Sequence, residues 1–328
     1  MGNVSPYRRY LQDLARSALA YRHSRFNGRD HWFERLGGDG EAIVFKREYR
    51  DKNILVPSTA SLEQADEMIA AIPSKARHTH FGSMRSSQAL TQSVFAALKV
   101  FNRAHLLAGI ESDEGLPAFF ERGAEVSLSL EHQVDHLGEL EGRKTSLDVL
   151  VSGRVMIAVE CKLAEEEFGK CSRTALREGK DSNFLRDHCN GNYEVQKPRT
   201  NPCSLTESGV KYWSYIPKIM RWEADKNLVP CPLAATYQIV RNLLAIADAP
   251  GEAIAANRHV LLVYDERNPS FQPGGKADSQ WQQATTGLRF PNLLRRTSWQ
   301  RIIRTLKEDP NLSGLIEELE EKYGLVAA

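Results

Sequence analysis

One short apolar segment carries an acidic residue and a lysine, and this combination limits what the chain can fold into. The apolar and β-branched residues of segment 155–163 predict a β-strand. Side chains alternate along a strand, so Glu160 and Lys162 share one face while Ile157 and Val159 lie on the other. Charges buried in a sheet are costly unless they are paired or bind a metal. The segment therefore predicts a core strand that carries a functional site.

A second predicted strand, residues 146–151, precedes this segment and carries Asp148. The loop between the two strands, residues 152–154, has a length suited to a hairpin. In that register Asp148 opposes Ala158 and is a diagonal neighbour of Glu160, at roughly 7–8 Å between backbones. Two carboxylates at this spacing can bind one divalent ion between them. We therefore expect the two carboxylates and the lysine to form one site.

The residue types in this site favour magnesium-dependent hydrolysis of a phosphodiester. Mg²⁺ prefers oxygen ligands and binds through one or two carboxylates together with substrate phosphate. Such an ion polarises the phosphate and lowers the pKa of a bound water, and Lys162 would orient or deprotonate that water or stabilise the developing charge. Asp148 and Glu160 are the predicted metal ligands, Cys161 is assigned to the same metal site, and Mn²⁺ is an alternative ion.

The Glu-x-Lys spacing alone is a weak signal. It recurs at residues 178–180 and 320–322, in an irregular region and in a charged terminal helix. Only the pair at residues 160–162 lies on an apolar strand with an aspartate on the partner strand. A structural salt bridge at the end of the sheet is the alternative interpretation of this pair.

The order of the predicted elements favours an α/β fold in which helices flank a mixed central sheet. In chain order these elements are a helix at 86–101, strands at 124–130, 146–151 and 155–163, an insertion at 164–232, a helix at 234–247 and a strand at 259–264. Further helices are predicted at 60–71, 210–222, 299–306 and 312–325. We expect a helical N-terminal region at 1–85, the core at 86–268, and a loop with C-terminal helices at 269–328.

Charge and hydropathy exclude some classes of protein. Lys and Arg number 43 and Asp and Glu 42, so the formal net charge of +1 does not itself indicate a nucleic-acid partner. It does not exclude one either, because basic patches can coexist with an acidic metal site. No apolar run approaches the length of a membrane span, and the first ten residues lack the apolar core of a signal peptide. We expect a cytoplasmic protein without a membrane partner.

At these residues the chain resembles the PD-(D/E)xK, or restriction-endonuclease-like, nuclease superfamily. The resemblance lies in Ser146-Leu147-Asp148, in the apolar run that follows, and in Glu160-Cys161-Lys162. It implies a restriction-endonuclease-like core and Mg²⁺-dependent phosphodiester hydrolysis, with metal ligands at Asp148 and Glu160 and a catalytic Lys162. A broader similarity, from about residue 75 onward, is to bacterial proteins described as restriction endonucleases. That similarity lies at residues 86–89, 212–213, 231–232 and 237–238.

The chain departs from the superfamily pattern in two places and keeps it in a third. Leu147 stands where the name-giving proline would be. The first core helix supplies a glutamate in many members, but here it has Gln88 and Gln92 instead. The identity of a third acidic ligand is therefore left open, and Glu125 and Glu131 are weak candidates for it. The helix at 234–247 carries Gln238, and RecB-like members have a catalytic glutamine on this helix. The resemblance therefore adds Gln238 to the catalytic set, with an ordinary surface amide as the alternative.

Five cysteines are present, and four of them lie in the predicted insertion. The four are Cys171, Cys189, Cys203 and Cys231. They lack the C-x-x-C spacing of common zinc sites, which favours separate thiols and leaves a zinc or iron–sulfur site open. An odd total in a reducing compartment does not predict disulfides.

The function expected from these observations is a DNA endonuclease in restriction or a related genome-defence role. A nuclease of DNA repair or one that cleaves RNA would use the same core. A third hypothesis is a catalytically silent module that binds nucleic acid. The retained Asp148, Glu160 and Lys162 argue against the silent module, and a homodimer is left open.

Overall fold

A computed structural model of the protein describes residues 4–35, 42–140, 144–192, 200–222 and 230–326. Within these ranges five strands form one sheet in chain order: β1 (Val126–Gln133), β2 (Ser146–Gly153), β3 (Met156–Cys161), β4 (Arg258–Tyr264) and β5 (Leu294–Ser298). The first three strands are antiparallel to one another, whereas β4 runs parallel to β3 and β5 parallel to β4. The mixed sheet confirms the predicted α/β class.

Helices cover both faces of this sheet. They are α1 (Pro6–Arg25), α2 (Leu62–Ala70), α3 (Ser87–Val100), α4 (Phe184–Asp187), α5 (Ser204–Glu207), α6 (Tyr212–Ile219), α7 (Leu233–Ala245), α8 (Lys276–Gly287), α9 (Trp299–Leu306) and α10 (Ser313–Tyr323). On one face Val149 and Val159 pack with apolar residues of α1, α3, α9 and α10. On the other face Leu150, Ala158 and Leu262 pack with α6, α7 and α8. The core is therefore split into two layers by the sheet.

Helix α3, at the predicted position, is buried along most of its length. Its N-terminus is capped by Ser86, whose Oγ accepts the Ala89 N–H at 3.2 Å. The buried polar side chains of α3 have partners in neighbouring segments: Gln92 Nε2 donates to Met68 O at 2.8 Å, and Ser93 Oγ accepts the Leu55 N–H at 2.9 Å. These bonds allow a polar helix to lie between the sheet and α2 without unpaired donors at these positions.

Helices α1 and α10 pack against each other, although the whole sheet lies between them in the sequence. Tyr21 of α1 donates a hydrogen bond to Glu318 of α10 at 3.1 Å. At the other end of α1, Tyr7 Oη donates to Ala164 O at 2.6 Å and Tyr10 Oη to Leu163 O at 2.7 Å. Helix α1 thus connects the C-terminal helix to the segment that leaves β3.

The predicted register of the β2–β3 hairpin is wrong by two residues. Leu150, rather than Asp148, lies opposite Ala158, and the last pair before the turn is Ser152 with Met156. The cause is β1, which pairs with Ser152 and Gly153 and so keeps β2 extended past the predicted turn. Because the shift is an even number, every side chain keeps its predicted face. Continuing this register brings Asp148 directly opposite Glu160 instead of diagonal to it.

Glycine is required where β2 ends. Gly153 has a φ of +141°, and a Cβ at this position would lie 2.4 Å from the backbone oxygen of Glu125. A side chain there would push β1 away from β2. Gly153 therefore helps to set the observed hairpin.

Four elements of the described chain lie outside the predicted set: the short helices α4 and α5 within the insertion, and β5 and α8 after residue 268. Strand β5 extends the sheet beyond the predicted core, and α8 packs next to α7. Within the predicted insertion the structure has α4, α5 and α6, the last at the predicted position, whereas residues 193–199 and 223–229 of that insertion lie outside the described residues. Across the described ranges, no helix has both the length and the apolar character needed to span a membrane.

Candidate active site

The carboxylates and the lysine predicted from the sequence meet where β3 ends. Glu160 and Lys162 are almost fully buried, at 5% and 7% exposure. Lys162 Nζ lies 2.8 Å from Glu160 Oε1, which makes this a buried ion pair. Asp148, on the adjacent strand β2, is half-buried beside them. The three side chains therefore form one cluster on the face of the sheet that α7 covers.

Two amides on α7 hold the Glu160 carboxylate. Gln238 Nε2 donates to Oε1 and Asn242 Nδ2 donates to Oε2, both at 2.7 Å. Gln238 Oε1 in turn accepts Lys162 Nζ at 3.1 Å and the Gly169 N–H at 2.8 Å. The two amides are four residues apart, so one face of α7 presents both. Gln238 thus lies inside the cluster rather than on a free helix surface.

Asp148 has an electrostatic environment unlike that of Glu160. Its Oδ2 accepts the Cys161 N–H at 2.7 Å, and within the described part of the chain its Oδ1 accepts no hydrogen bond. Burial first, and then the negative charges of Glu160 and Glu131, raise the pKa of Asp148 well above its usual range, while Lys162 opposes this. The metal-free cluster therefore carries negative charge that one lysine only partly neutralises.

Glu131 is a third acidic residue in the cluster, and it was only a weak candidate from the sequence. The register of β1 and β2 brings it opposite Asp148, and its φ of +46° departs from strand geometry. Its carboxylate accepts hydrogen bonds from Gln88 Nε2 and, at 2.7 Å, from Ser146 Oγ. Gln88 of α3 thus contacts an acidic residue that a strand supplies.

The other sequence candidates lie elsewhere. Glu125 precedes β1 at the opposite end of the sheet, near Gly153, and is exposed. Gln92 bonds to the backbone of the segment around α2. The thiol of Cys161 lies in the core on the other face of the sheet, and burial, followed by the charge of Asp148, raises its pKa well above the usual range. Only the backbone N–H of Cys161 contacts the carboxylate cluster.

Lys162 is held in its charged form. Burial by itself lowers the pKa of this lysine, but the negative charges of Glu160, Glu165 and Asp148 outweigh burial, so that its pKa is raised above the usual value. Glu165 is fixed near the cluster because its carboxylate accepts Ser87 Oγ at 2.6 Å and the Leu163 N–H at 2.7 Å. At neutral pH Lys162 is therefore a cation and not a free base.

The donor set fits a hard divalent cation better than a soft one. The cluster offers carboxylate oxygens from Asp148, Glu160 and Glu131, and one oxygen of Asp148 has no hydrogen-bond donor among the described residues. Mg²⁺ is bound in many sites by only one or two carboxylates together with waters and substrate phosphate. Among the described residues, no group of three or more His, Cys, Asp or Glu side chains is arranged to hold an ion by itself.

The sheet is mixed, and two acidic residues and a lysine lie on adjacent strands below a helix that carries a glutamine. This architecture is that of the restriction-endonuclease-like class of α/β proteins. A family model described as "Restriction Endonuclease associating with ARP" (REase-ARP) matches residues 15–324, which is almost the whole chain. The protein belongs to this family. The family consists of nucleases by its description, and the predicted resemblance is confirmed. No curated protein and no solved structure matches the chain significantly.

Proposed function

We propose that this protein is a metal-dependent endonuclease that hydrolyses DNA phosphodiester bonds, with Asp148 and Glu160 as metal ligands and Lys162 beside the scissile phosphate. The single observation that carries the proposal is the shared cluster of these three side chains, in which Gln238 and Asn242 orient Glu160. The family supports a nuclease, and its description as restriction endonuclease supports a DNA substrate and a defence role.

Glu160 and Asp148 have different parts in this proposal. Glu160 is fixed by two amide donors and Lys162, so its carboxylate is oriented before any ion arrives. Asp148 has one oxygen without a donor, and the negative charges of Glu160 and Glu131 lie near it, so a cation bound there would offset charge that Lys162 only partly neutralises. A bound Mg²⁺ or Mn²⁺ would supply polarisation of the phosphate and a lowered pKa of the attacking water. Glu131 lies close enough to Asp148 to assist as a further acidic group.

Lys162 acts as a cation in this proposal. Because its pKa is raised, it remains protonated at neutral pH and does not abstract the proton of the attacking water. Its Nζ is held between Glu160 and Gln238, and it can stabilise negative charge that develops on the phosphate. Of the roles that the sequence left open for this lysine, stabilisation of charge is therefore favoured over general-base catalysis.

Cleavage of supercoiled plasmid tests the proposal. We expect cleavage with Mg²⁺ or Mn²⁺ and none in EDTA, and we expect Lys162→Met to slow it by roughly 10²–10³-fold, the cost of removing one electrostatic donor from an active site. Lys322→Met is the matched control, because Lys322 is also a buried lysine in a Glu-x-Lys sequence but lies on α10. Cleavage that continues in EDTA, or a Lys162→Met rate equal to that of Lys322→Met, contradicts the mechanism.

A comparison of substrates tests the choice of DNA. Duplex DNA, single-stranded DNA and RNA of one sequence are incubated with the protein under the same metal conditions. Preferential cleavage of duplex DNA supports a restriction role, whereas preferential cleavage of RNA contradicts it. Binding of DNA without cleavage in any metal would identify a silent module instead.

A further inference from the structure

Four cysteines that are far apart in the sequence surround one small cavity. Cys171, Cys189, Cys203 and Cys231 all line it, together with the apolar side chains of Leu205 and Leu233. Its volume is about 20 Å³. A cavity of this size is large enough for about one water molecule. The four cysteines are free thiols, as the sequence predicts, but they lie around one common space.

Backbone hydrogen bonds hold the cysteine segments together. In each of three bonds a cysteine donates its N–H: Cys171 to Ala234 O at 3.1 Å, Cys189 to Arg173 O at 3.1 Å, and Cys231 to Gly191 O at 2.5 Å. These bonds join segments on both sides of α4 to the start of α7. The convergence of the cysteines is thus built into the backbone and does not depend on their side-chain rotamers.

Two of the thiols have the same local backbone environment. Burial raises the pKa of Cys171 and of Cys231, and the backbone two residues further on, at Arg173 and Leu233, opposes this rise. Backbone groups that lower the pKa of a thiol favour the thiolate, which is the form that binds a metal.

The four thiols are close enough to influence one another. Burial raises the pKa of Cys171, to about 11 once the smaller contributions of the Arg173 backbone, Cys203 and Cys189 are included. Burial raises the pKa of Cys231 to about 12, again with contributions from the other three cysteines. The four thiols therefore lie near one another.

We propose that Cys171, Cys189, Cys203 and Cys231 bind one structural Zn²⁺ ion. Four cysteines form a complete tetrahedral ligand set for zinc, which leaves no open position for catalysis. The small size of the cavity favours a single ion over an iron–sulfur cluster. Among the described residues, no three His, Cys, Asp or Glu side chains already have the spacing of metal ligands. Binding of zinc therefore requires the cysteine side chains to change rotamer so that their sulfurs point to the centre of the cavity.

This zinc site would stabilise the part of the fold that carries Gln238. Cys231 lies just before the N-terminus of α7, and Cys171 follows Gly169 by two residues. Gly169 is bonded to Gln238 twice, because its N–H donates to Gln238 Oε1 at 2.8 Å and its carbonyl accepts the Gln238 N–H at 3.1 Å. An ion that ties these two segments together would fix α7 against the loop and keep Gln238 in position over Lys162.

The test is the metal content of the full chain, purified under reducing conditions and measured by inductively coupled plasma mass spectrometry. We expect about one zinc per chain, lost in Cys171→Ser and Cys231→Ser but kept in Asp148→Asn, which alters only the carboxylate cluster. Replacement of zinc by Co²⁺ in the wild-type protein should give sulfur-to-cobalt charge-transfer bands in the near ultraviolet. This measurement needs no variant, so misfolding of a cysteine variant does not weaken the test.

Three results would overturn the proposal. They are wild-type protein that carries no zinc while its thiols are reduced, iron with visible absorption in place of zinc, and disulfide bonds between the four cysteines found by mass spectrometry. Each result is independent of plasmid cleavage, so the zinc site and the proposed nuclease activity can fail separately.

Discussion

The amide of Asn242 gives the sharpest test of how the active site is held. This side chain is almost fully buried, and its Nδ2 donates to Glu160 Oε2 at 2.7 Å. Its Oδ1 is buried without a hydrogen-bond partner among the described residues. In Asn242→Ala the carboxylate loses one of its two amide donors, and the unpaired oxygen is removed at the same time.

The expected effect on stability is small, because two terms oppose each other. A hydrogen bond to a charged group contributes roughly 1.5–3 kcal/mol, whereas an unpaired buried polar atom costs roughly 1–3 kcal/mol. We therefore expect Asn242→Ala to lower the free energy of unfolding by only about 1 kcal/mol. The effect on metal binding should be larger, since loss of a residue that orients a metal ligand typically lowers metal affinity or activity by about 10–100-fold.

Asn53→Ala is a closely matched control. Asn53 is fully buried, its Oδ1 also has no partner among the described residues, and its Nδ2 donates to Phe81 O at 2.6 Å and Ser83 O at 2.8 Å. The Asn53→Ala variant loses hydrogen bonds to neutral carbonyls far from the carboxylate cluster. We therefore expect its free energy of unfolding to fall by a similar amount, about 1 kcal/mol, and its metal affinity to be unchanged.

Two assays separate the variants. Urea unfolding in EDTA gives the free energy of unfolding, and plasmid cleavage over a range of Mg²⁺ concentrations gives the concentration for half-maximal rate. We expect Asn242→Ala to raise that concentration by about 10–100-fold, and Asn53→Ala to leave it unchanged. If the two variants behave alike in both assays, Asn242 has no specific role in orienting Glu160.

Three further predictions concern charged groups. Asp148→Asn should stabilise the metal-free protein. The pKa of Asp148 is raised in the folded state, so the free energy of unfolding falls as pH rises above the ordinary aspartate pKa of 3.8. Melting temperatures in EDTA at several pH values check this, and a variant that melts no higher than the wild type at pH 7 contradicts it. Burial lowers the pKa of Lys322 from 10.5 to about 7, so the unfolded chain binds more protons than the folded protein between these pH values. The free energy of unfolding should therefore rise by roughly 4 kcal/mol from pH 7 to 10.5. Lys322→Met should remove this rise in urea unfolding. Burial lowers the pKa of His259 to about 3, so the free energy of unfolding should fall as pH drops from 6.5 toward 3. His259→Gln keeps a hydrogen-bond donor for Ala118 O, and its free energy of unfolding should fall less steeply over this pH range. An equally steep fall would show that His259 is not the titrating group.

The sequence was sufficient to predict which side chains of β2 and β3 lie on each face of the sheet. Side chains alternate with a period of two, so a register error of two residues leaves every side chain on its predicted face. The register itself could not be predicted, since it depends on β1, whose pairing with Ser152 and Gly153 is remote in sequence. Strand β5 was missed for a similar reason. Its two arginines make it look like a loop, but Arg296 pairs with Asp113 and Asp278 from distant segments.

The proximity of the candidate site residues was predictable where chemistry and strand periodicity coincide, as for Glu160 and Lys162. Glu131 joins the cluster through Gln88 and Ser146, which are contacts between three separate elements that no local pattern encodes. The cysteines illustrate the same limit. Their spacing predicts separate thiols, and the thiols are free, but it does not predict that all four line one cavity or that backbone bonds join the segments of Cys171, Cys189 and Cys231.

The packing of α1 against α10 has a consequence for the order in which the molecule becomes active during synthesis. Tyr7 and Tyr10 hold the backbone just after Lys162, and the other end of α1 rests on α10 through Tyr21. Helix α10 leaves the ribosome after all the strands, and such a contact between remote segments forms late because of its loop-closure entropy. A nascent chain that has not yet released α10 therefore contains every residue of the carboxylate cluster but lacks the support that α10 gives to α1 and, through α1, to the segment that leaves β3.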